Sequence, residues 1–223
     1  MRSKMRLSSQ NLTELLKGPQ FDGFLDNFRR KSFQKGNMIS MPGGGGNDVL
    51  IVSSGRLRVF LSYEGREFTL CFLEEGDIFS THTRAFIEAA KDSVILLSTA
   101  QAFRQQLVEH PEITLLMTGI LGEVLGSSWD VIEGLIFHDA KSRLTAFIVS
   151  LGRERGVGTA DGIEFECDLT MEDISLIIGA TRQTTSSLFN MLIKDGDLCR
   201  TVKNKFIIND IEALASRLSV YKK

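Results

Sequence analysis

The chain has 223 residues, 43% of them hydrophobic, with 26 basic against 28 acidic side chains and a formal net charge of −2. That is apolar material for one large core or two modest ones, and the near-neutral balance excludes a uniformly basic nucleic-acid coat. No uninterrupted apolar run approaches the roughly 20 residues that span a bilayer, and residues 1–10 carry Arg2, Lys4 and Arg6 with no apolar signal core behind them, which predicts a cytoplasmic protein without a membrane partner.

Residues 21–31, "FDGFLDNFRRK", read as a short helix. The texture then turns to β: "NMISM", "DVLIVSSG", "RLRVFLSY", "EFTLCFLEEGD" and "SVILLST" are short apolar or alternating runs punctuated by Gly and Asp. Evenly spaced strands of this kind predict a small barrel or jelly roll. Gly43 to Gly46 could suggest a phosphate cradle, but no GK[ST] and no helix follow, so a flexible hairpin connection is the better reading. Cys71, Cys167 and Cys199 are an odd number at wide spacings. They form neither a disulfide framework nor a CxxC clamp, and read as ordinary buried or half-buried thiols.

After Pro111 the pattern is helical over "PEITLLMTGILGEVLGSSWDVIEGLIF", with apolar residues at 113, 117, 121, 124, 129, 131, 132 and 135. A run of about 25 residues is about 37 Å long, which a two-stranded dimer seam explains; a helix buried within its own subunit is the alternative. Gly119, Gly122, Gly126, Ser127 and Ser128 leave gaps that permit close approach of another helix or a flat ligand.

A further helix begins in "FHDAKSRLTAFIVSLGRE", with Asp139 as its N-cap and the break between Phe137 and His138 as hinge and domain boundary. "GIEFECDLT" reads as a strand. Thr170 to Asp173 has capping-box spacing, Gly179 ends the helix over 171–178, and Thr181 caps the next one, which runs to about Lys194. Asp195-Gly196 then turns the chain into "LCRTV" and "KFIIN".

Helix, Gly-containing turn, helix and β-hairpin wing constitute a winged helix-turn-helix. On its second helix Leu188, Met191 and Leu192 read as the inward stripe, with Arg182, Gln183, Ser186 and Asn190 opposite. Arg can grip guanine O6 and N7 with two donors and Gln can pair with adenine N6 and N7, so this end is equipped for major-groove readout. Thr184, Ser187 and the helix N-terminus can hold phosphate oxygens. Lys203 and Lys205 of the wing add phosphate contacts, in a stretch (171–223) with eight basic against six acidic residues, compared with 18 against 22 before it. The alternative is a helical hairpin with a solvated polar face.

"LTMEDISLIIGATRQTTSSLFNMLIKDG" resembles the DNA-binding domain of the CRP/FNR family of bacterial transcription regulators, and the order of elements matches that family over nearly the whole chain. The resemblance implies an α+β fold: an N-terminal β-roll (1–110), like a cyclic-nucleotide-binding jelly roll, then a dimerisation helix (111–137) and a winged helix-turn-helix (138–223). It implies a homodimer on palindromic double-stranded DNA, working with RNA polymerase as an activator and having no enzymatic activity. Cyclic-AMP-binding members carry a Gly-Glu pair and an Arg-Ser or Arg-Thr phosphate anchor. "EEGDIFSTHTRAFIEAAKDS" has neither, and an unpaired phosphate there would be costly. Iron-sulfur members need clustered N-terminal cysteines; none precedes Cys71.

"GRLRVFLSYEGREFTLCFLEEGDIFSTHTRAFIEA" and "ILGEVLGSSWDVIEGLIFHDAKSRL" resemble instead the haem-containing, carbon-monoxide-sensing members of the family. That resemblance implies haem b, with His82 as one iron ligand and the Met1 amine of the partner subunit as the other, and a carbon-monoxide pocket lined by Leu121, Gly122 and Leu125. Position 80, a thiolate ligand to ferric iron in some members, is serine here, so a Cys-to-His exchange on reduction is not expected. Two other readings stay open: a regulator of the same family sensing another small molecule, and a haem enzyme or gas carrier. Against the last, no distal His or Arg arrangement suits oxygen or peroxide activation, and His110 and His138 fall outside the expected pocket.

Overall fold

The computed structural model describes residues 12–16, 18, 21, 23–202 and 204–219. Its contacts divide the chain into two units, one ending at Ser128 and the other beginning at Trp129.

The first unit holds α1 (Leu12–Leu15), a single 3-10 turn (Phe24–Asn27), eight strands and two helices. The strands are β1 (Arg29–Phe33), β2 (Met38–Ser40), β3 (Asp48–Ser54), β4 (Leu57–Tyr63), β5 (Arg66–Leu73), β6 (Ile78–Ser80), β7 (Phe86–Ala89) and β8 (Ser93–Thr99). They form two antiparallel four-stranded sheets, ordered β1-β8-β3-β6 and β2-β7-β4-β5. Alternation along β3 explains how the layers stack. Leu50 and Val52 point into a core shared with Leu57, Val59, Leu73 and Ile87 of the second sheet. Val49 and Ile51 point the other way, into a core made with Leu12, Phe24, Phe103, Ile113 and Ile120. A strand buried on both faces reads as a continuous apolar run, as "VLIV" does. Arg58 is buried on β4, its guanidinium held by Glu67 at 2.7 Å, Glu88 at 2.9 Å and the Thr69 hydroxyl at 2.9 Å.

Helix α2 (Ala100–Glu109) is capped by the Thr99 hydroxyl, which accepts from the Ala102 N–H. Helix α3 (Pro111–Phe137) starts on a proline, suited to a first-turn position whose N–H has no intrahelical partner. Ile113 and Ile120 are buried, with Leu116, Met117 and Val124 packed beside them. Leu115, Leu121, Leu125, Trp129, Ile132 and Ile136 are exposed on this chain.

In the second unit, α4 (Ala140–Arg155) is buried at every position from Leu144 to Gly152. A Cβ at Gly152 would stand 2.6 Å from Ile208 Cδ1, so any larger residue there must move that side chain. Around α4 lie α5 (Met171–Ile178), α6 (Arg182–Lys194), α7 (Ile211–Ser219) and a sheet ordered β11-β12-β10-β9. Its strands are β9 (Val157–Thr159), β10 (Gly162–Glu166), β11 (Leu198–Arg200) and β12 (Lys205–Ile208).

The α+β architecture of β-rich domain, long helix and helix-turn-helix is as expected. Four local readings are corrected. The helix over 21–31 is a 3-10 turn followed by β1, because residues 29–33 pair with β8. Gly43 to Gly46 does not close a hairpin: β2 pairs with β7 and β3 with β8 and β6, so the segment crosses between sheets. Cys71 and Cys167 are buried, but Cys199 is exposed on β11. Finally, α3 is long and apolar enough to cross a bilayer by length and composition alone. Counting uninterrupted apolar runs missed this because Gly, Ser and Thr break the run without adding charge.

Candidate nucleic-acid interface and sensor site

The start of α6 is fixed by residues within a few positions of it. The Thr170 hydroxyl accepts from the Asp173 N–H while the Asp173 carboxylate accepts from Thr170, a complete capping box on α5. Gly179 ends α5 in the left-handed conformation (φ 63°), which glycine adopts without the Cβ penalty. Thr181 then caps α6, its hydroxyl accepting from the Thr184 N–H at 3.1 Å. The inward face is Thr185, Phe189 and Leu192. This corrects the expected stripe, since Met191 is exposed and Leu188 half-buried. Thr185 can be buried because its hydroxyl donates to the Thr181 carbonyl at 2.9 Å. Phe189 meets Phe206 of β12 edge to face at 5.2 Å, fastening the helix to the wing.

Arg182, Gln183, Thr184, Ser187 and Asn190 are exposed and Ser186 is half-buried. The Thr184 hydroxyl is shared with Thr181 at 2.8 Å, so it is part of the cap as well as the surface. Ser186 and Asn190 line a cavity of about 480 Å³ with Thr170, Arg200 and Asn204, between the start of α5, α6 and the wing. Arg200, which sequence reasoning missed, also lies 5.9 Å from the Phe206 ring centroid. Its one signal was a basic residue in a predicted wing strand. Lys205 is exposed, with Nζ 3.5 Å from a Glu164 carboxylate oxygen; Lys203 lies outside the described residues.

His82 stands exposed in the turn after β6. Pairing of Val49 with Ser80 places that turn against β3, where the Thr81 N–H donates to the Asp48 carbonyl and the Asp48 N–H to the Thr81 hydroxyl, each at 2.9 Å. His82 Nδ1 is hydrogen-bonded to the Ser80 hydroxyl oxygen. Ser80 also reaches the Asp48 carbonyl at 3.4 Å, which can only accept. The contact with Ser80 engages Nδ1, so a metal would meet His82 through Nε2. Beside Thr81 lies a cavity of about 250 Å³ lined by Phe33, Met38, Ile39, Met41, Ile95 and Leu97, with Lys31 also on its wall. Only tertiary pairing assembles that lining, so sequence reading did not find it.

Among the described residues no group of three or more His, Cys, Asp or Glu could cage a bare ion. A haem iron would need from this turn a single imidazole, which His82 would supply, and Lys31 would suit a carboxylate substituent. Cys71 does not compete as a thiolate, since burial foremost and the Asp77 charge push its thiol up to about 12. Leu121 (66% exposed), Gly122 and Leu125 (51% exposed) share the open face of α3 and do not line the cavity beside Thr81. Met1 lies outside the described residues.

Residues 30–110 match the cyclic nucleotide-binding domain and residues 142–217 the Crp-like helix-turn-helix domain. A global nitrogen regulator of Nostoc sp. is 31% identical over 172 residues, covering 73% of this chain and 77% of that one. The chain belongs to the CRP/FNR family of transcription regulators. Among solved CRP/FNR structures, a variant of CooA from Carboxydothermus hydrogenoformans carrying two leucine substitutions is 40% identical, covering 97% of this chain and all of that one, with a TM-score of 0.93. The reduced CO-sensing protein from R. rubrum is 32% identical, covering 94% and 98%, with a TM-score of 0.55. CRP/FNR proteins are DNA-binding regulators and not enzymes, and they act as dimers with RNA polymerase.

Proposed function

We propose that this CRP/FNR regulator is a haem-dependent activator responsive to carbon monoxide, cytoplasmic, and bound as a homodimer to a palindromic operator. The observation that carries the reading is the His82 turn, where the Ser80 hydroxyl engages Nδ1 so that iron would meet Nε2. The 40% identity to the CooA variant over nearly the full chain supports it further.

In this reading His82 Nε2 and the Met1 amine of the partner subunit would hold the iron of haem b. Ferrous haem iron, when bound, supplies the site that carbon monoxide occupies. An amine must be unprotonated to coordinate, so the Met1 amine would be a weaker ligand than the His82 imidazole. Leu121, Gly122 and Leu125 offer a small, branched surface on α3 that accommodates the gas and alters how the two long helices meet. The domains divide at 110 and 137, and a hinge at Phe137 to Asp139 delivers the two α6 helices to major grooves one turn, about 34 Å, apart. There Arg182 and Gln183 read bases; Ser186 and Asn190 extend that face; Thr184, Ser187, Lys203 and Lys205 hold phosphates.

The test is the absorption spectrum of the reduced protein before and after carbon monoxide, repeated on His82→Ala. Protein purified without haem from haem-replete cells would sink the reading. The match to the cyclic nucleotide-binding domain and the likeness to a nitrogen regulator favour, in that case, another small molecule in the β-roll.

A further inference from the structure

At the start of α4, Arg143 spends its guanidinium on three backbone carbonyls from two separate segments. Nε donates to Ile178 O at 2.6 Å and Nη2 to Gly179 O at 3.3 Å, the last carbonyls of α5 at the turn of the helix-turn-helix. Nη1 donates to His138 O at 2.5 Å, at the junction of α3 and α4. Helix-end carbonyls lack intrahelical partners, and a planar fork of five charged donors is the side chain able to satisfy several at fixed angles. Ile178 is only 1% exposed, so its carbonyl is held in a dry place. The same first turn of α4 is itself pinned by Asp139, whose carboxylate accepts from the Ser142 N–H at 2.7 Å.

We propose that Arg143 is a positioning residue that ties the α3–α4 junction to the α5–α6 turn, so that the entry of α6 follows the backbone at His138. The idea rests on the DNA-reading role of α6 and is independent of haem. A second polar link from α4, Lys141 to Asp195 at 4.0 Å, is an exposed ion pair of little strength.

Backbone hydrogen exchange, followed by mass spectrometry on the full-length protein, tests this without DNA or effector. In Arg143→Ala, amides of residues 137–140 and 178–181 should both exchange at least about tenfold faster, while residues 146–151 within α4 stay protected. Asp139→Ala, which frays the start of α4, should speed exchange at 178–181 in the wild-type background and add nothing in Arg143→Ala. Acceleration confined to one of the two segments would overturn the proposal, as would an Asp139→Ala effect on the turn that survives without Arg143. Should Arg143→Ala lose protection throughout, Arg143→Lys decides. Its compact ammonium cannot span both segments, so an Asp139→Ala effect of wild-type size at 178–181 in that background would also overturn it.

Discussion

The exposed face of α6 and the turn that carries His82 are both polar surfaces offered to a ligand, and they are supported in different ways. The start of α6 is bounded from nearby in the chain, by the Thr181 cap and the left-handed Gly179, while its Thr185, Phe189 and Leu192 face packs inward and Phe206 and Arg143 hold it from farther away. The His82 turn is aimed from a distance, by pairing of Ser80 with Val49 and by bonds between Thr81 and Asp48. A reading surface on one helix can be altered residue by residue with graded effect. In the proposed function the His82 turn, hung on strand register, has one atom that matters, Nε2, and its loss would be all or nothing.

The largest effect is therefore expected at the turn. His82→Ala should weaken haem retention more than about 100-fold and abolish carbon-monoxide-dependent DNA binding, as measured by haem content and by the reduced spectrum with and without the gas. A normal six-coordinate ferrous spectrum in this variant would remove the contrast altogether. On α6 the response should be graded. Arg182→Ala should cost about 1–3 kcal/mol per half-site and relax one base position. Gln183→Glu should shift preference toward a base presenting a donor, such as cytosine N4. Operator selection with wild type and both variants measures this, and identical selected sites would show that the pair does not read bases.

Ser80→Ala sharpens the comparison by leaving His82 in place and removing its orienting partner. Haem affinity should fall about 10–100-fold, a partial loss visible in haem transfer to an acceptor protein; full retention would mean that the ring needs no anchor. Asp139→Asn should have the smallest effect. Bonds from the Ser142 N–H, then from its side chain, together with the Arg143 and Lys141 charges, lower the Asp139 pKa. A depressed carboxylate contributes stability above its unfolded value of about 3.9, and that contribution disappears as pH falls through the lower folded value. Asparagine caps nearly as well and does not titrate, so the two proteins should melt alike at pH 7 and separate only in acid, the variant then being the more stable. Separation at pH 7 instead would mean that the carboxylate charge itself is needed.

Legibility in the sequence followed the same divide. Helices α3 to α6 could be bounded from Pro111, Asp139, Thr170, Gly179 and Thr181 because caps act on backbone groups within four residues. Strand β1 could not, since four of its five residues are exposed and it shows no apolar alternation. Helix α2 was missed because its only buried side chains are Phe103 and Gln106, too few for a periodic signal. The α6 stripe was misread at Thr185, a polar residue whose hydroxyl is satisfied by its own helix and so can be fully buried. His82 was singled out through the family resemblance alone. Met38 and Met41 could not be joined to Thr81 from sequence, because the chain changes sheets between β2 and β3.

Three glycines in α3 carry a further consequence. At Gly119, Gly122 and Gly126 a Cβ would meet nothing within 4 Å among the described residues, so none is there to relieve crowding inside this chain. Each costs an exposed helix about 1 kcal/mol relative to alanine. Glycine thus weakens the middle of α3, and in the proposed dimer a second α3 lying against this stretch would offset the deficit. Folding of this segment and assembly of that dimer would then be coupled by mass action, and the melting midpoint should climb with protein concentration.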